Sequence, residues 1–156
     1  MNLLLTKHNE LKVSDFGISR MLGDADSYVM TGGIGTLRYM APEAGSLFRI
    51  LRKEVVRHGC YDEKVDIYAL GLILYFMSSG RTPFHHLGEL GARSVCAGFR
   101  RGSEPRPLAA ECHPALRPLM EAAWHAVPAQ RPTARELLED LGRVPQVKGC
   151  GPCAQM

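Results

Sequence analysis

The sequence lacks the long apolar runs that mark membrane and secreted proteins. Its longest such run, residues 67–77, is far shorter than the roughly 20 residues that a membrane helix needs. Near the start, only Leu3, Leu4 and Leu5 follow one another before Lys7, whereas a secretory leader carries about seven or more apolar residues. We therefore expect a cytoplasmic protein without a membrane span.

Paired cysteines and a strong charge of one sign are also missing. The five cysteines are an odd, scattered set, which does not indicate a disulfide framework. There are 19 Lys and Arg against 16 Asp and Glu, for a net charge of +3, which is too mild to indicate a nucleic-acid binder. Hydrophobic residues at 46% and charged residues at 22% are typical of a globular domain and exclude a wholly disordered chain.

The net charge is concentrated in one stretch, residues 44–60, which itself sums to +3. Apolar residues recur there at helical spacing, so we expect a short amphipathic helix over residues 46–57. Two interpretations remain open for it. It is either a docking surface for an acidic partner, or a solvated helix or insertion with no partner.

Periodicity predicts a mainly helical fold behind a short hairpin. A short apolar run over residues 3–6, a polar turn and an alternating segment over residues 11–14 predict the hairpin. Residues 15–35 predict a long loop. An almost continuous apolar segment, residues 65–77, predicts a helix buried on all sides. Further helices are predicted over residues 88–97, over residues 116–124 and after Thr133, where Glu136 completes a capping box.

Two motifs bracket the long loop. Asp15-Phe16-Gly17 opens it, and residues 35–43, which read GTLRYMAPE, close it. Asp66 then begins the apolar helix, and Arg131 with Pro132 precedes the last one. In order, spacing and context the chain resembles the protein kinase family, in which D-F-G and A-P-E bound the activation segment. The resemblance covers residues 1–141 and is nearest to serine/threonine kinases of the tyrosine-kinase-like branch.

The resemblance implies the fold class, a mainly α protein-kinase-like large lobe. It is a helical bundle with an N-terminal β-hairpin and a long activation loop. Residues 1–143 would be a partial kinase domain that starts at the end of the catalytic loop. Residues 144–156 would be a flexible tail.

The resemblance also implies a nucleotide site for ATP and Mg²⁺. Asp15 matches the family's magnesium-binding carboxylate, and Asn2, 13 positions earlier, matches the Asn that holds a second ion. Leu4 would contact the adenine ring. Phe16 would pack inward, beside Gly17, and set the active or inactive state of the loop.

Other positions would support this site. Thr36 would hydrogen-bond around the catalytic base, and Glu43 would form a buried ion pair with Arg131, 88 residues later. Asp66 would accept backbone hydrogen bonds from the catalytic loop, since a buried Asp without partners is costly. The loop hydroxyls of Ser27, Tyr28 and Thr31 are either phosphorylation sites or plain solvated groups.

Several parts that the family needs are absent from the sequence. There is no Gly-rich phosphate loop, no strand Lys with its helix Glu, and no H-R-D segment to supply the catalytic Asp. The chain is therefore expected to be a truncated serine/threonine kinase that is inactive alone and whose complete form acts on protein substrates. The alternative is a non-catalytic binding module or regulatory fragment built on the same lobe.

Two further patterns carry less weight. Cys153 begins a formal C-a-a-X end, but Gln155 is polar where an aliphatic residue is usual, so prenylation is disfavoured. His85 and His86 are interpreted as a surface pair, because no third metal ligand is placed near them in the sequence.

Overall fold

The computed structural model describes residues 3–17, 37–43, 62–87 and 105–145, and the fold is stated for these ranges. They form a two-stranded antiparallel hairpin, β1 (Leu3–Leu5) and β2 (Leu11–Val13), and three α-helices. The helices are α1 (Lys64–Ser79), α2 (Arg117–Ala123) and α3 (Ala134–Arg143). Short 3₁₀ turns link them. The predicted mainly α fold with an N-terminal hairpin is confirmed.

The hairpin is closed by a three-residue loop between Thr6 and Glu10. The Asn9 amide donates to the Thr6 carbonyl at 2.9 Å, and the Thr6 amide donates to the Glu10 carbonyl at 2.9 Å. Asn9 takes a left-handed backbone, with φ of 61°, as three-residue hairpin loops require of their last residue. The Thr6 hydroxyl accepts from the Glu10 amide as well, at 3.1 Å. The predicted turn is therefore fixed by local hydrogen bonds.

Helix α1 is the centre of the fold. Asp62 accepts a hydrogen bond from the Lys64 amide at the helix start, and Gly80 ends the helix with a left-handed φ of 68°. A glycine fits there because it has no Cβ to clash in that conformation. The expectation that this helix is buried on all sides was wrong, since Phe76 is 45% and Met77 63% exposed. Its buried face is a stripe, because helices pack against α1 on one side.

The main hydrophobic core lies between α1 and α2. Tyr75 of α1 and Trp124, just after α2, meet edge to face with ring centroids 6.3 Å apart. Such pairs contribute beyond the area they bury. Around them lie the other buried members of this core, which are Ala41, Tyr68, Leu72, Leu74, Phe84, Cys112 and Met120. The core thus joins residues from four separated stretches of the chain.

A second, smaller cluster holds α3 against α1 and α2. Leu137 of α3 is 1% exposed and packs with Ile67 and Ala123. The capping box is confirmed, since the Thr133 hydroxyl accepts from the Glu136 amide and the Glu136 carboxylate accepts from the Thr133 amide. Within the described ranges, no helix is long and apolar enough to cross a bilayer.

Candidate functional site

The hairpin presents Asp15 at its open end. Leu3 is paired with Val13, so the start of β1 and the end of β2 lie side by side. Asp15 follows two residues later and has a left-handed backbone, with φ of 65°. Its side chain is exposed and makes no hydrogen bond or ion pair with any other described residue. A non-glycine residue in this region is uncommon, although Asp tolerates it better than most.

Two apolar side chains near Asp15 are open to solvent. Phe16 was expected to pack inward, but 66% of it is exposed. Phe16 is therefore not packed inward in the described part of the chain. Leu4 is 54% exposed. Gly17 follows in a turn.

The structure brings Glu43 and Arg131 together across 88 residues. Arg131 Nη1 lies 2.5 Å from Glu43 Oε1, and Nη2 lies 3.0 Å from Oε2, so the contact is bidentate. The Arg131 side chain is 0% exposed and that of Glu43 is 24% exposed. Charge-assisted bidentate pairs of this geometry are among the strong hydrogen bonds in proteins.

Arg131 makes further hydrogen bonds, and an aromatic contact, besides its ion pair with Glu43. Its Nε donates to the His125 carbonyl at 2.8 Å, and its Nη1 also donates to the Lys64 carbonyl at 2.9 Å. The Lys64 ammonium returns a bond to the Arg131 carbonyl at 2.7 Å. The guanidinium carbon lies 5.0 Å from the ring centroid of Tyr68. These contacts tie Glu43 to the start of α1 and to the segment before α3.

A second anchor holds the chain just before Glu43. Arg38, in the 3₁₀ turn Leu37–Tyr39, donates from Nη1 to the Pro83 carbonyl at 2.7 Å. The next residue, Phe84, is 1% exposed and has a φ of 60°, which is an outlier for a bulky side chain. Burial of its ring in the core holds this backbone in place. Residues 37–43 are thus fixed at both ends to the helical core.

Asp66 is more exposed than expected. It is in the first turn of α1, but its side chain is exposed and accepts no hydrogen bond from the residues described. Partial desolvation still raises the pKa of its carboxyl. Its exposure differs from the expected burial, whereas its role as an acceptor stays a prediction, because the catalytic loop that would donate to it is not among the described residues.

A polar cluster around Glu111 was not predicted. Its Oε2 accepts a hydrogen bond from the Tyr75 hydroxyl and lies 2.8 Å from Nε2 of His85, while Arg81 Nη1 is 3.9 Å from Oε1. The Tyr75 hydrogen bond, followed by that to His85, holds the pKa of Glu111 below its ordinary value. Burial, and then the bond to Glu111, raises the pKa of Tyr75. No short motif marks these residues, because they meet only in the folded chain.

Several predicted residues and elements lie outside the described ranges. They are Asn2, Ser27, Tyr28, Thr31, Thr36 and Cys153, the helices over residues 46–57 and 88–97, and the tail beyond 145. Among the residues that are described, no three His, Cys, Asp or Glu side chains cluster as a metal site would require. Asp15 is the described carboxylate that the family resemblance assigns to a metal, and this stays a prediction.

The chain is similar in sequence to known proteins. Residues 1–141 match the family model for the protein kinase domain. The chain is 34% identical over 143 residues to serine/threonine-protein kinase STY17 of Arabidopsis thaliana, covering 92% of this chain and 22% of that protein. It is 36% identical over 149 residues to serine/threonine-protein kinase VIK of the same plant, covering 92% and 31%.

An animal relative is similar as well. Mitogen-activated protein kinase kinase kinase 13-A of Xenopus laevis is 30% identical over 140 residues, which is 90% of this chain and 13% of that protein. The chain therefore spans less than a third of the length of each of these relatives. Because the family match covers most of the chain and includes both bracketing motifs, the chain belongs to the protein kinase family.

Proposed function

We propose that this chain is the magnesium-binding and activation-segment part of a serine/threonine protein kinase of the tyrosine-kinase-like branch. The complete enzyme would transfer the γ-phosphate of ATP to protein hydroxyls in the cytoplasm. The observation that carries the proposal is the place of Asp15 at the open end of the hairpin. The names of the relatives, which are serine/threonine kinases, support the same class.

The hairpin register supports a metal site shared by Asp15 and Asn2. Asn2 is bonded to Leu3, and Leu3 is paired with Val13, which lies two residues before Asp15. In the sequence, Asn2 therefore directly precedes the strand end that lies beside the residues leading to Asp15. A carboxylate and an amide oxygen are hard ligands of the kind that Mg²⁺ prefers. The exposed Asp15 carboxylate fits this role because it makes no hydrogen bond or ion pair with another described residue.

The remaining predicted residues would contact the nucleotide or position other groups of the site. Leu4 would offer an apolar contact to the adenine ring, and Thr36 would help to orient the catalytic base. Mg²⁺, which Asp15 and Asn2 would hold, would supply positive charge that stabilises the phosphates. The Glu43–Arg131 pair would fix the end of the activation segment, in which Ser27, Tyr28 and Thr31 are candidate phosphorylation sites. Phosphates there would need an Arg of the catalytic loop.

This chain alone is expected to be inactive, because the sequence supplies neither the catalytic Asp nor the phosphate loop. The test compares the 156-residue chain with a longer form that carries an H-R-D segment and a Gly-rich loop. Labelled ATP should transfer phosphate to a protein substrate only with the longer form. Asp15→Ala should abolish that transfer, whereas Asp140→Ala, which removes an exposed carboxylate on α3, should leave it intact.

The non-catalytic alternative gives a different outcome. A binding module would show no transfer in the longer form and no dependence on Asp15. Transfer by the short chain itself, lost in Asp15→Ala, would contradict the proposed inactivity. Binding of Mn²⁺ to the short chain, followed by paramagnetic broadening in NMR spectra, gives a readout that does not depend on catalysis. The broadening should centre on Asp15 and disappear in Asp15→Ala.

A further inference from the structure

One face of the hairpin is aliphatic and open to solvent. Leu3 is paired with Val13 and Leu5 with Leu11, so these four side chains lie on the same face. Leu5 is 69%, Leu11 56% and Val13 62% exposed. A two-stranded hairpin is marginally stable in water unless a further strand or a packed face supports it. Further strands that pair with the hairpin would therefore stabilise it.

The backbone of Leu11 points to the outer edge of β2. The Thr6 amide donates to the Glu10 carbonyl, so that pair is hydrogen-bonded. Hydrogen-bonded and non-hydrogen-bonded pairs alternate along an antiparallel ladder, which makes the next pair, Leu5 with Leu11, non-hydrogen-bonded. The amide and carbonyl of Leu11 consequently face away from β1. In the described part of the chain, no strand pairs with that edge.

The charges that flank Leu11 are opposite in sign. Glu10 and Lys12 project on the face opposite to Leu11, each with a side chain that is 62% exposed. Their charged atoms lie 3.5 Å apart on the same side of Leu11. A copy of the strand running antiparallel, with Leu11 opposite Leu11, would set Glu10 opposite Lys12 of the second copy, and the reverse. This makes the strand complementary to itself.

The same charges select one register. If the two-fold axis moved by one residue, Glu10 would face Glu10, or Lys12 would face Lys12, and like charges directly opposite one another are destabilising. The register centred on Leu11 pairs unlike charges and aligns the exposed backbone groups of both copies.

We propose that the outer edge of β2 binds a second copy of this chain in an antiparallel, two-fold arrangement with Leu11 on the axis. The two hairpins then form one four-stranded sheet with a continuous aliphatic face. The contact is isologous, so it closes at a dimer rather than growing into a fibre. It uses residues of the hairpin edge and does not depend on the proposed phosphoryl transfer.

Charge reversal tests this proposal directly. Sedimentation velocity of the 156-residue chain at low salt should show a monomer–dimer equilibrium that shifts to dimer with concentration. Glu10→Lys and Lys12→Glu should each raise the dissociation constant by about tenfold or more, because each variant turns two attractive cross-strand pairs into repulsive ones. Higher salt should weaken the wild-type dimer, since both pairs are exposed.

Rescue separates a specific interface from a general loss of structure. An equimolar mixture of Glu10→Lys and Lys12→Glu should form heterodimers, because two positive positions then face two negative ones. The double variant E10K/K12E should dimerise as the wild type does. Far-UV circular dichroism of each variant checks that it is folded.

Matched controls lie on α3. Arg143→Glu and Asp140→Lys change the net charge by the same amounts at an exposed ion pair far along the chain. Both variants should dimerise like the wild type. A wild-type chain that stays monomeric at all concentrations overturns the proposal. So do single variants that dimerise normally, a mixture that stays monomeric, or α3 variants that weaken the dimer equally.

Discussion

Gly71 of α1 and Ala123 of α2 are in direct contact. A Cβ built on Gly71 would lie 2.8 Å from the Cβ of Ala123, closer than real methyl groups come. The two helices therefore approach as closely as they do because Gly71 has no side chain. This contact positions α2, and with it Trp124, against the core face of α1.

Adding a methyl group at that contact should destabilise the protein. Gly71→Ala is expected to lower the free energy of unfolding by about 1–3 kcal/mol, because the added methyl group would overpack the core there. Gly142→Ala on α3 is the matched control, since nothing lies within 4 Å of its added Cβ. It should raise stability by up to about 1 kcal/mol through helix propensity. Urea unfolding measures both, and equal effects would contradict the close approach.

Removing the charge of Glu43 should lower the free energy of unfolding far more than removing an exposed charge does. Glu43→Gln leaves the Arg131 guanidinium, 0% exposed, without its counter-charge and should lower the free energy of unfolding by about 3 kcal/mol. Asp140→Asn breaks an exposed pair with Arg143 and should cost less than about 1 kcal/mol. Urea denaturation at neutral pH compares them. Similar values for the two variants would show that the buried pair stabilises the fold no more than the exposed pair does.

The Glu111 cluster should make stability depend on pH in acid. The folded state holds the pKa of Glu111 below its ordinary 4.5, so the ionised carboxylate is favoured by folding. That contribution is complete above pH 4.5 and is lost as the pH falls through the lowered pKa. Melting temperatures of the wild type and Glu111→Gln should therefore converge as the solution is acidified. A difference that stays constant from neutral pH downward would contradict this.

Tyr75 should resist ionisation. Burial and the hydrogen bond to the Glu111 carboxylate both raise the pKa of its hydroxyl, so it should ionise after an ordinary tyrosine does. An ultraviolet titration of the wild type is expected to show a late component that Tyr75→Phe removes. Glu111→Gln should shift that component to lower pH without removing it. If the late component survives in Tyr75→Phe, another tyrosine is responsible.

Local patterns predicted the elements well. The capping box at Thr133, the polar turn after Thr6 and the stop at Gly80 each depend on residues within a few positions of one another. The two bracketing motifs identified the family because their order and spacing are readable along the chain. By contrast, exposure was misjudged at Phe16, Asp66 and Met77. A side chain's burial depends on which distant segments pack beside it, and composition does not state that.

The sequence by itself determined the family, the hairpin and the approximate positions of the described helices, because these follow from motif spacing and short-range periodicity. It suggested the Glu43–Arg131 pair only through a resemblance. The tertiary structure decided what surrounds that pair, including the carbonyls of His125 and Lys64. It alone assembled the cluster around Glu111 and the close contact of Gly71 with Ala123. Those contacts join residues dozens of positions apart, and only the packed chain brings them within bonding distance.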